Sequence, residues 1–310
     1  MKVGIIDIGS NTFNLLIAEV DKAGGYKQIY QSKVGVKLGE GSFQKNYITE
    51  QAMERAMVAL DAQISVIKNQ YCDRILAFAT SAVRNATNGQ EFIDKVYARF
   101  NVRIRIIEGG LEASMIFHGV QMSGAIQDQK VLIMDIGGGS TEFIICNDEE
   151  IIWKQSYELG VTRLVEKIEP DDPILPGQIE ETRTFLKGAM SEVFEVVKRE
   201  NVKVLIGSSG SFDTFSDVLS YRRETFEHDS LLSTLEFDIE ELTGFLHELI
   251  GNTISQRRAM GDMAPIRANI IGMSAIFVLL VQEHCNFKNI RLSRYSLKEG
   301  VLFDVLKGNL

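Results

Sequence analysis

Residues 2–17 read KVGIIDIGSNTFNLLI, and residues 130–145 read KVLIMDIGGGSTEFII. Laid over one another, 128 residues apart, Lys2, Val3, Ile5, Asp7, Ile8, Gly9 and Ile17 meet identical residues at Lys130, Val131, Ile133, Asp135, Ile136, Gly137 and Ile145. Each copy is an apolar run ending in a carboxylate, glycine and small polar residues, followed by a second apolar run. That pattern reads as strand, tight turn, strand. Asp, Gly, Ser and Asn are ordinary turn residues, so one copy alone would be weak evidence. Two copies at equivalent places in two similar stretches of chain ask for a shared task.

Around each copy the same order of elements follows. In the first half KVGIIDI, NLLIAEV and YKQIYQSKVGV read as three strands. A helix from Thr49 to about Gln70 follows, with Met53, Met57, Leu60, Ile64 and Ile67 on one face. RILAFAT, from Arg74, is a buried strand. Asn88 with Glu91 reads as a capping box opening a helix that buries Phe92, Val96 and Phe100. VRIRII and a helix from about Leu111 complete a βββαβαβα series.

In the second half KVLIMDI, TEFIICN and EIIWKQSYEL are strands, Pro176 to Glu200 is a helix, VKVLIG is a strand and a helix follows Gly210. A helical stretch capped by Asp238, about 222–264, has no counterpart in the first half and reads as an insertion. A helix from about Ile266, the strand NIRLS and an amphipathic helix from Ser296 close the chain. The expected organisation is two α/β domains, 1–123 and 124–310, with the last helix a candidate to pack back on the first.

Bulk properties narrow the function. At 310 residues two domains are the prior. The longest apolar run, AIFVLLV from Ala275, is too short for a membrane span, and Asp7 interrupts the opening run as no secretory signal would; a cytoplasmic protein that does not engage membranes is expected. Three widely spaced cysteines, Cys72, Cys146 and Cys285, suggest neither a disulfide framework nor a zinc site. A net charge of −9 argues against a nucleic-acid-coating face. A phosphate-bearing substrate remains open where metal, helix N-termini or a few arginines supply positive charge locally.

In DIGSNT and DIGGGST glycine lets backbone N–H groups approach a phosphate closely. The carboxylates of Asp7 and Asp135 cannot bind phosphate themselves; their expected role is to hold Mg²⁺, which bridges carboxylate and phosphate oxygens. A Rossmann or P-loop reading fails, because those glycine loops lead from strand to helix and TEFIICN reads as another strand.

The repeated βββαβα unit with Asp-Gly turns resembles the actin, hexokinase and heat-shock-chaperone ATPase superfamily. More narrowly, IDIGSNTFNLLI, ATSAVRNATNGQEF, IIEGGLEASMIFHGV, MDIGGGSTEF and SLKEGVL resemble, in order, motifs of the exopolyphosphatase and guanosine pentaphosphate phosphatase (Ppx/GppA) family. The resemblance runs over essentially the whole chain. It implies duplicated ribonuclease-H-like domains with a cleft between them, and a metal-dependent hydrolase that removes terminal orthophosphate.

Residue by residue, the resemblance makes Glu112 the general base or water-orienting group and Arg84 a guanidinium directed at the reaction centre, with Ser81 lining the same loop. Ser10, Asn11 and Thr12 in one half, and Gly137, Gly138, Gly139 and Ser140 in the other, would hold phosphates. GSSGSF, from Gly207, matches a small-residue turn used near a nucleotide; Gly210 and Ser211 keep its size, while Ser209 replaces a glycine. Arg267, in PIRANII, joins this phosphate-binding set, whereas Arg257 and Arg258 read as a solvated helix face. The chain departs from the pattern at Leu111, where the family usually has a glutamate, which removes like-charge repulsion beside Glu112.

Polyphosphate and guanosine pentaphosphate present the same terminal phosphoanhydride, so the sequence leaves both open, with polyphosphate leading. The chain stops after EGVLFDVLKGNL, where longer family members continue into a helical region, which favours short-chain substrates. A sugar-kinase-like transferase and a non-catalytic polyphosphate or nucleotide sensor are the rival readings. Many two-domain enzymes of this kind form homodimers; no residue here shows such an association.

Overall fold

A computed structural model describes residues 1–21 and 23–310, which divide into two compact units: Met1–Met122 with Ser296–Leu310, and Ser123–Tyr295. The division falls one residue before the expected boundary, and the last helix belongs to the first unit.

The first unit has strands β1 (Lys2–Ile8), β2 (Thr12–Val20), β3 (Tyr26–Gly35), β4 (Arg74–Ala79) and β5 (Ile104–Ile106) in the sheet order β3-β2-β1-β4-β5. β1, β2 and β3 form an antiparallel meander, while β4 and β5 run parallel to β1. The second unit repeats this with β6 (Val131–Ile136), β7 (Thr141–Cys146), β8 (Ile151–Tyr157), β9 (Val204–Ser208), β10 (Thr234–Phe237) and β11 (Asn289–Ser293), ordered β10-β11-β9-β6-β7-β8. β6, β9 and β11 are parallel; β10 is added antiparallel at the edge.

Side-chain alternation along a strand sets which residues meet the core. Ile6 and Ile8 join Phe13, Leu60 and Phe92 in one core; Leu132, Met134 and Ile136 join Phe143, Phe212 and Phe277 in the other. Asp7 and Asp135 therefore project from the opposite face, at the carboxyl ends of β1 and β6.

Several local expectations change. Thr49, the expected start of its helix, proves to be the cap and accepts from Ala52 N, but the side chain of Asn88 does not cap Gly89–Phe100. Its amide instead accepts from Ile48 N and donates to Ile48 O, an offer from a distant segment that outcompetes the local one. The stretch 176–200 is two helices, Pro176–Ala189 and Ser191–Arg199, because the fully buried Met190 leaves helical geometry at φ −111° and ψ 17°. A further helix, Val161–Ile168, precedes them. The stretch 222–264 is not wholly helical, since it contributes β10.

The helix Leu297–Leu306 is not amphipathic. Leu297, Glu299, Gly300, Val301, Leu302, Asp304 and Val305 are buried around it, because it meets β1 and β2 on one side and the helix Gly109–Ser123 on another. Among the described residues, no helix is long and apolar enough to cross a membrane.

Candidate active site

In an open α/β sheet ligands bind beyond the carboxyl ends of the parallel strands. The first unit places its candidates there. After β1 comes the loop Gly9–Thr12, closed by Gly9 N donating to Thr12 O at 3.1 Å. After β4, Thr80 N donates to Ile8 O and starts the short turn Ser81–Arg84. After β5, Ile107 leads into Gly109–Ser123, whose first turn holds Glu112.

Arg84 joins two of these segments. Its Nη1 lies 2.8 Å from Glu112 Oε2 and donates to Ile107 O at 2.8 Å. Both side chains are more than nine-tenths buried, so the ion pair fixes the carboxylate at the strand edge while compensating its charge. Asp7 accepts from Asn14 Nδ2 at 2.8 Å across the strand pair. Ser81 Oγ accepts from Asn85 Nδ2.

The second unit repeats the loop almost atom for atom: Gly137 N donates to Ser140 O at 3.0 Å. The carbonyls of Gly137 and Gly138 are taken by the first N–H groups of Val161–Ile168, Val161 N at 3.0 Å and Thr162 N at 2.9 Å. In a trans peptide the N–H points opposite to the C=O, so the N–H groups of Gly138 and Gly139 face away from that helix. Among the described residues no acceptor meets the N–H groups of Gly138, Gly139 and Ser140, although all three residues are buried. Amides without partners in buried residues are rare in folded proteins, and three in succession next to Asp135 are the kind of donors that a concave anion site uses.

Beyond the end of β9 at Ser208, Ser209 adopts φ +70°, and the helix Ser209–Arg222 begins with no side-chain cap. Arg267, only 5% exposed, lies against Gly210, where a Cβ would sit 1.7 Å from Nη2; glycine is required for that approach. Burial pushes its guanidinium below the ordinary arginine pKa, with the charges of Asp213 and Asp135 pulling the other way. Among the described residues its guanidinium makes neither a hydrogen bond nor an ion pair. A buried arginine in that condition suits an anionic ligand.

Other candidates have structural partners. Gly207 lies within β9 against the Phe212 ring, and the Ser211 hydroxyl meets Ser274 Oγ at 2.9 Å inside the core. Arg257 is not a solvated face: it is 2% exposed and donates to Leu249 O and Ala268 O, joining two segments of the unit. Glu142 escaped the sequence reading. It stands directly across from Asp135, as Asn14 stands across from Asp7, is 1% exposed, and accepts from Ser156 Oγ at 2.7 Å. The signal was present at the aligned positions Asn14 and Glu142, where a second carboxylate replaces an amide.

Asp7, Asp135 and Glu142 offer hard oxygen donors, and no cluster of three or more His, Cys, Asp or Glu occurs among the described residues. Like charges directly opposite in a strand pair are unfavourable, which a divalent cation at Asp135 and Glu142 would relieve. The Asp135–Glu142 pair, with two carboxylates only, fits an ion that keeps part of its water shell, as Mg²⁺ does.

Two sheets of one βββαβα order, each with an Asp-Gly loop at its carboxyl edge, define a duplicated ribonuclease-H-like protein of the actin-like ATPase class. The Ppx/GppA phosphatase family matches residues 16–309. A solved exopolyphosphatase from Cytophaga hutchinsonii is similar at 32% identity and TM-score 0.96, over 99% of this chain and 98% of that one. Exopolyphosphatase 2 of Mycobacterium tuberculosis is 25% identical over 97% of each chain. The bifunctional 3-dehydroquinate synthase/phosphatase of Fusobacterium nucleatum is 40% identical over 170 residues, 52% of this chain but only 26% of that protein. An Aquifex aeolicus Ppx/GppA member, 23% identical with TM-score 0.79, shares the fold. The chain belongs to the Ppx/GppA phosphatase family. It is accordingly an enzyme of the phosphoanhydride-hydrolase class.

Proposed function

We propose that this enzyme is an exopolyphosphatase, releasing terminal orthophosphate from inorganic polyphosphate with a divalent cation. The observation that carries the reading is the run of buried, acceptor-less amides at Gly138, Gly139 and Ser140 beside Asp135. Such a run receives phosphate oxygens; Ser10, Asn11 and Thr12 form the corresponding loop of the first unit, and Arg267 adds a buried positive charge.

Glu112 orients the attacking water and takes its proton as the new P–O bond forms at the terminal phosphorus. The anhydride P–O bond breaks, and the electron pair leaves with the shortened chain. Arg84 holds the Glu112 carboxylate in place and offsets its charge, which lets it work beside a polyanion. Mg²⁺ would supply charge neutralisation on phosphate oxygens; Asp7 in the first unit, and Asp135 with Glu142 in the second, are the carboxylates of each unit that would hold such an ion.

The test is phosphate release from tripolyphosphate and longer chains, compared with guanosine pentaphosphate and ATP. Release from polyphosphate that disappears in Glu112→Gln while the circular dichroism spectrum persists supports the reading. Turnover of guanosine pentaphosphate alone, or undiminished turnover in the variant, overturns it.

A further inference from the structure

We infer that Arg163 and Arg55 are positioning residues, each fixing the carbonyl side of its own unit's phosphate loop so that the loop's amides face the substrate. The inference rests on the reading of these loops as phosphate-binding.

In the second unit three loop carbonyls are held from one side. Val161 N takes Gly137 O, Thr162 N and Arg163 N take Gly138 O, and the Arg163 side chain takes Gly139 O through Nε at 3.1 Å. The peptide planes then orient three amides, those of Gly138, Gly139 and Ser140, toward the other side. The third plane, between Gly139 and Ser140, takes this orientation from the Arg163 side chain. Glycine tolerates either orientation of that peptide, so loss of the guanidinium donor frees it to turn. The same guanidinium also forms an ion pair with Glu158, which anchors its far end.

The first unit reaches the same arrangement by another route. Gly39 N takes Ser10 O at 2.8 Å, and both Val36 N and Lys37 N take Asn11 O at 2.9 Å. Those two residues are themselves held by Arg55, whose Nε donates to Val36 O at 2.8 Å and whose Nη2 donates to Lys37 O at 2.9 Å. Asn11 and Gly139 occupy matching places in the duplicated sequence. One carbonyl is thus held by an arginine directly and its counterpart by an arginine through two backbone amides. Neither Arg55 nor Arg163 stands out in the sequence, since surface arginines are common.

The experiment compares Arg163→Ala, Arg163→Gln and Arg55→Ala with the wild type. A glutamine amide nitrogen falls where arginine has Nε, so Arg163→Gln keeps a donor for Gly139 O and discards the charge. Hydrogen–deuterium exchange on the free protein reads the loops without substrate. Arg163→Ala should speed exchange at residues 138–140 and not at 10–12, Arg55→Ala the reverse, and Arg163→Gln should exchange like the wild type. In tripolyphosphate hydrolysis the two alanine variants should raise KM by about fivefold to tenfold, the range of one lost hydrogen bond, with kcat changed less. Unchanged exchange in both alanine variants overturns the inference. An Arg163→Gln KM as poor as that of alanine also overturns it, by showing that charge rather than the bond is what matters. Failure of the wild type to hydrolyse tripolyphosphate would count against the exopolyphosphatase reading, leaving the exchange rates to decide the positioning role.

Discussion

Arg84 Nη1 and Glu112 Oε2 lie 2.8 Å apart, joining the turn after β4 to the helix after β5 through side chains that are 9% and 8% exposed. A buried pair of this kind is costly to break from one side, because the remaining charge is left uncompensated. Glu112→Gln keeps the shape and an acceptor for Arg84 but leaves the guanidinium's charge uncompensated, so it should lose some stability, less than Arg84→Ala does, while phosphate release falls by about 10²–10⁴-fold. Arg84→Ala should lose both activity and about 3–5 kcal/mol of stability. Parallel urea titrations and phosphate-release assays separate the two outcomes.

A different failure is expected at Gly210. A methyl group there would overlap Arg267 Nη2, and the arginine is almost fully buried. Gly210→Ala should displace the guanidinium, costing about 1–3 kcal/mol as an overpacked site and raising KM for tripolyphosphate at least as much as Arg267→Lys does. Unchanged KM in both variants would remove Arg267 from the phosphate-binding set.

Much of this was legible in the sequence because the decisive signals are local or repeated. The seven matched positions around Asp7 and Asp135 fixed two strands, a turn and their equivalence, and the observed turns close with the same hydrogen bond. NIRLS and KVGIIDI span β11 and β1 residue for residue. What escaped depended on distant partners. Asn88 reads as a helix cap until Ile48 arrives from forty residues away. Arg257 reads as surface charge until two carbonyls surround it. The short strand β10 exists only because β11 offers an edge. Glu142 was visible in the alignment, but its meaning needed the register that sets it across from Asp135.

That register leads to a metal prediction. Asp135 and Glu142 are 4% and 1% exposed and directly opposed. Chelation by EDTA should abolish phosphate release and added Mg²⁺ should restore it. Glu142→Gln should raise the Mg²⁺ concentration needed for half-maximal activity, because one hard anionic donor is lost. Titrating activity against Mg²⁺ in wild type and variant checks this; coincident curves would exclude Glu142 as a donor.

The helix crossing beneath Glu112 gives a test of how its position is maintained. Gly300 approaches so near that a Cβ would lie 1.7 Å from Met115 O, and one on Gly119 would lie 2.0 Å from Ser296 O. Both obstacles are backbone atoms, which cannot swing aside as a side-chain tip does. Gly300→Ala should therefore push the helix Gly109–Ser123 away from Leu297–Leu306, destabilise the unit by at least about 1–3 kcal/mol, and lower kcat through Glu112. A variant with wild-type kcat and stability would show that the crossing is looser than the contact implies.

The last prediction concerns pH. Asp217 has its carboxyl pushed up to about 6, first by burial, with Arg294 lowering it and Asp213 and Asp262 raising it. Arg294 Nη2 lies 2.9 Å from Asp217 Oδ1, yet desolvation of a side chain 25% exposed outweighs that attraction. The folded state therefore holds a proton that the unfolded chain releases near pH 4. Between about pH 4 and 6 the native state binds more protons, so this group's contribution to stability is present at low pH and is lost as pH rises through 6. At about 1.4 kcal/mol for each pKa unit the swing is at most about 3 kcal/mol, less what solvent screens. Asp217→Asn resembles the protonated form at every pH. Urea denaturation at about pH 3 and at pH 8 should find the variant close to wild type at the lower pH and more stable at the higher, with the gap opening between about pH 4 and 6. A wild-type advantage at pH 8 would mean that the Arg294 pairing outweighs burial after all.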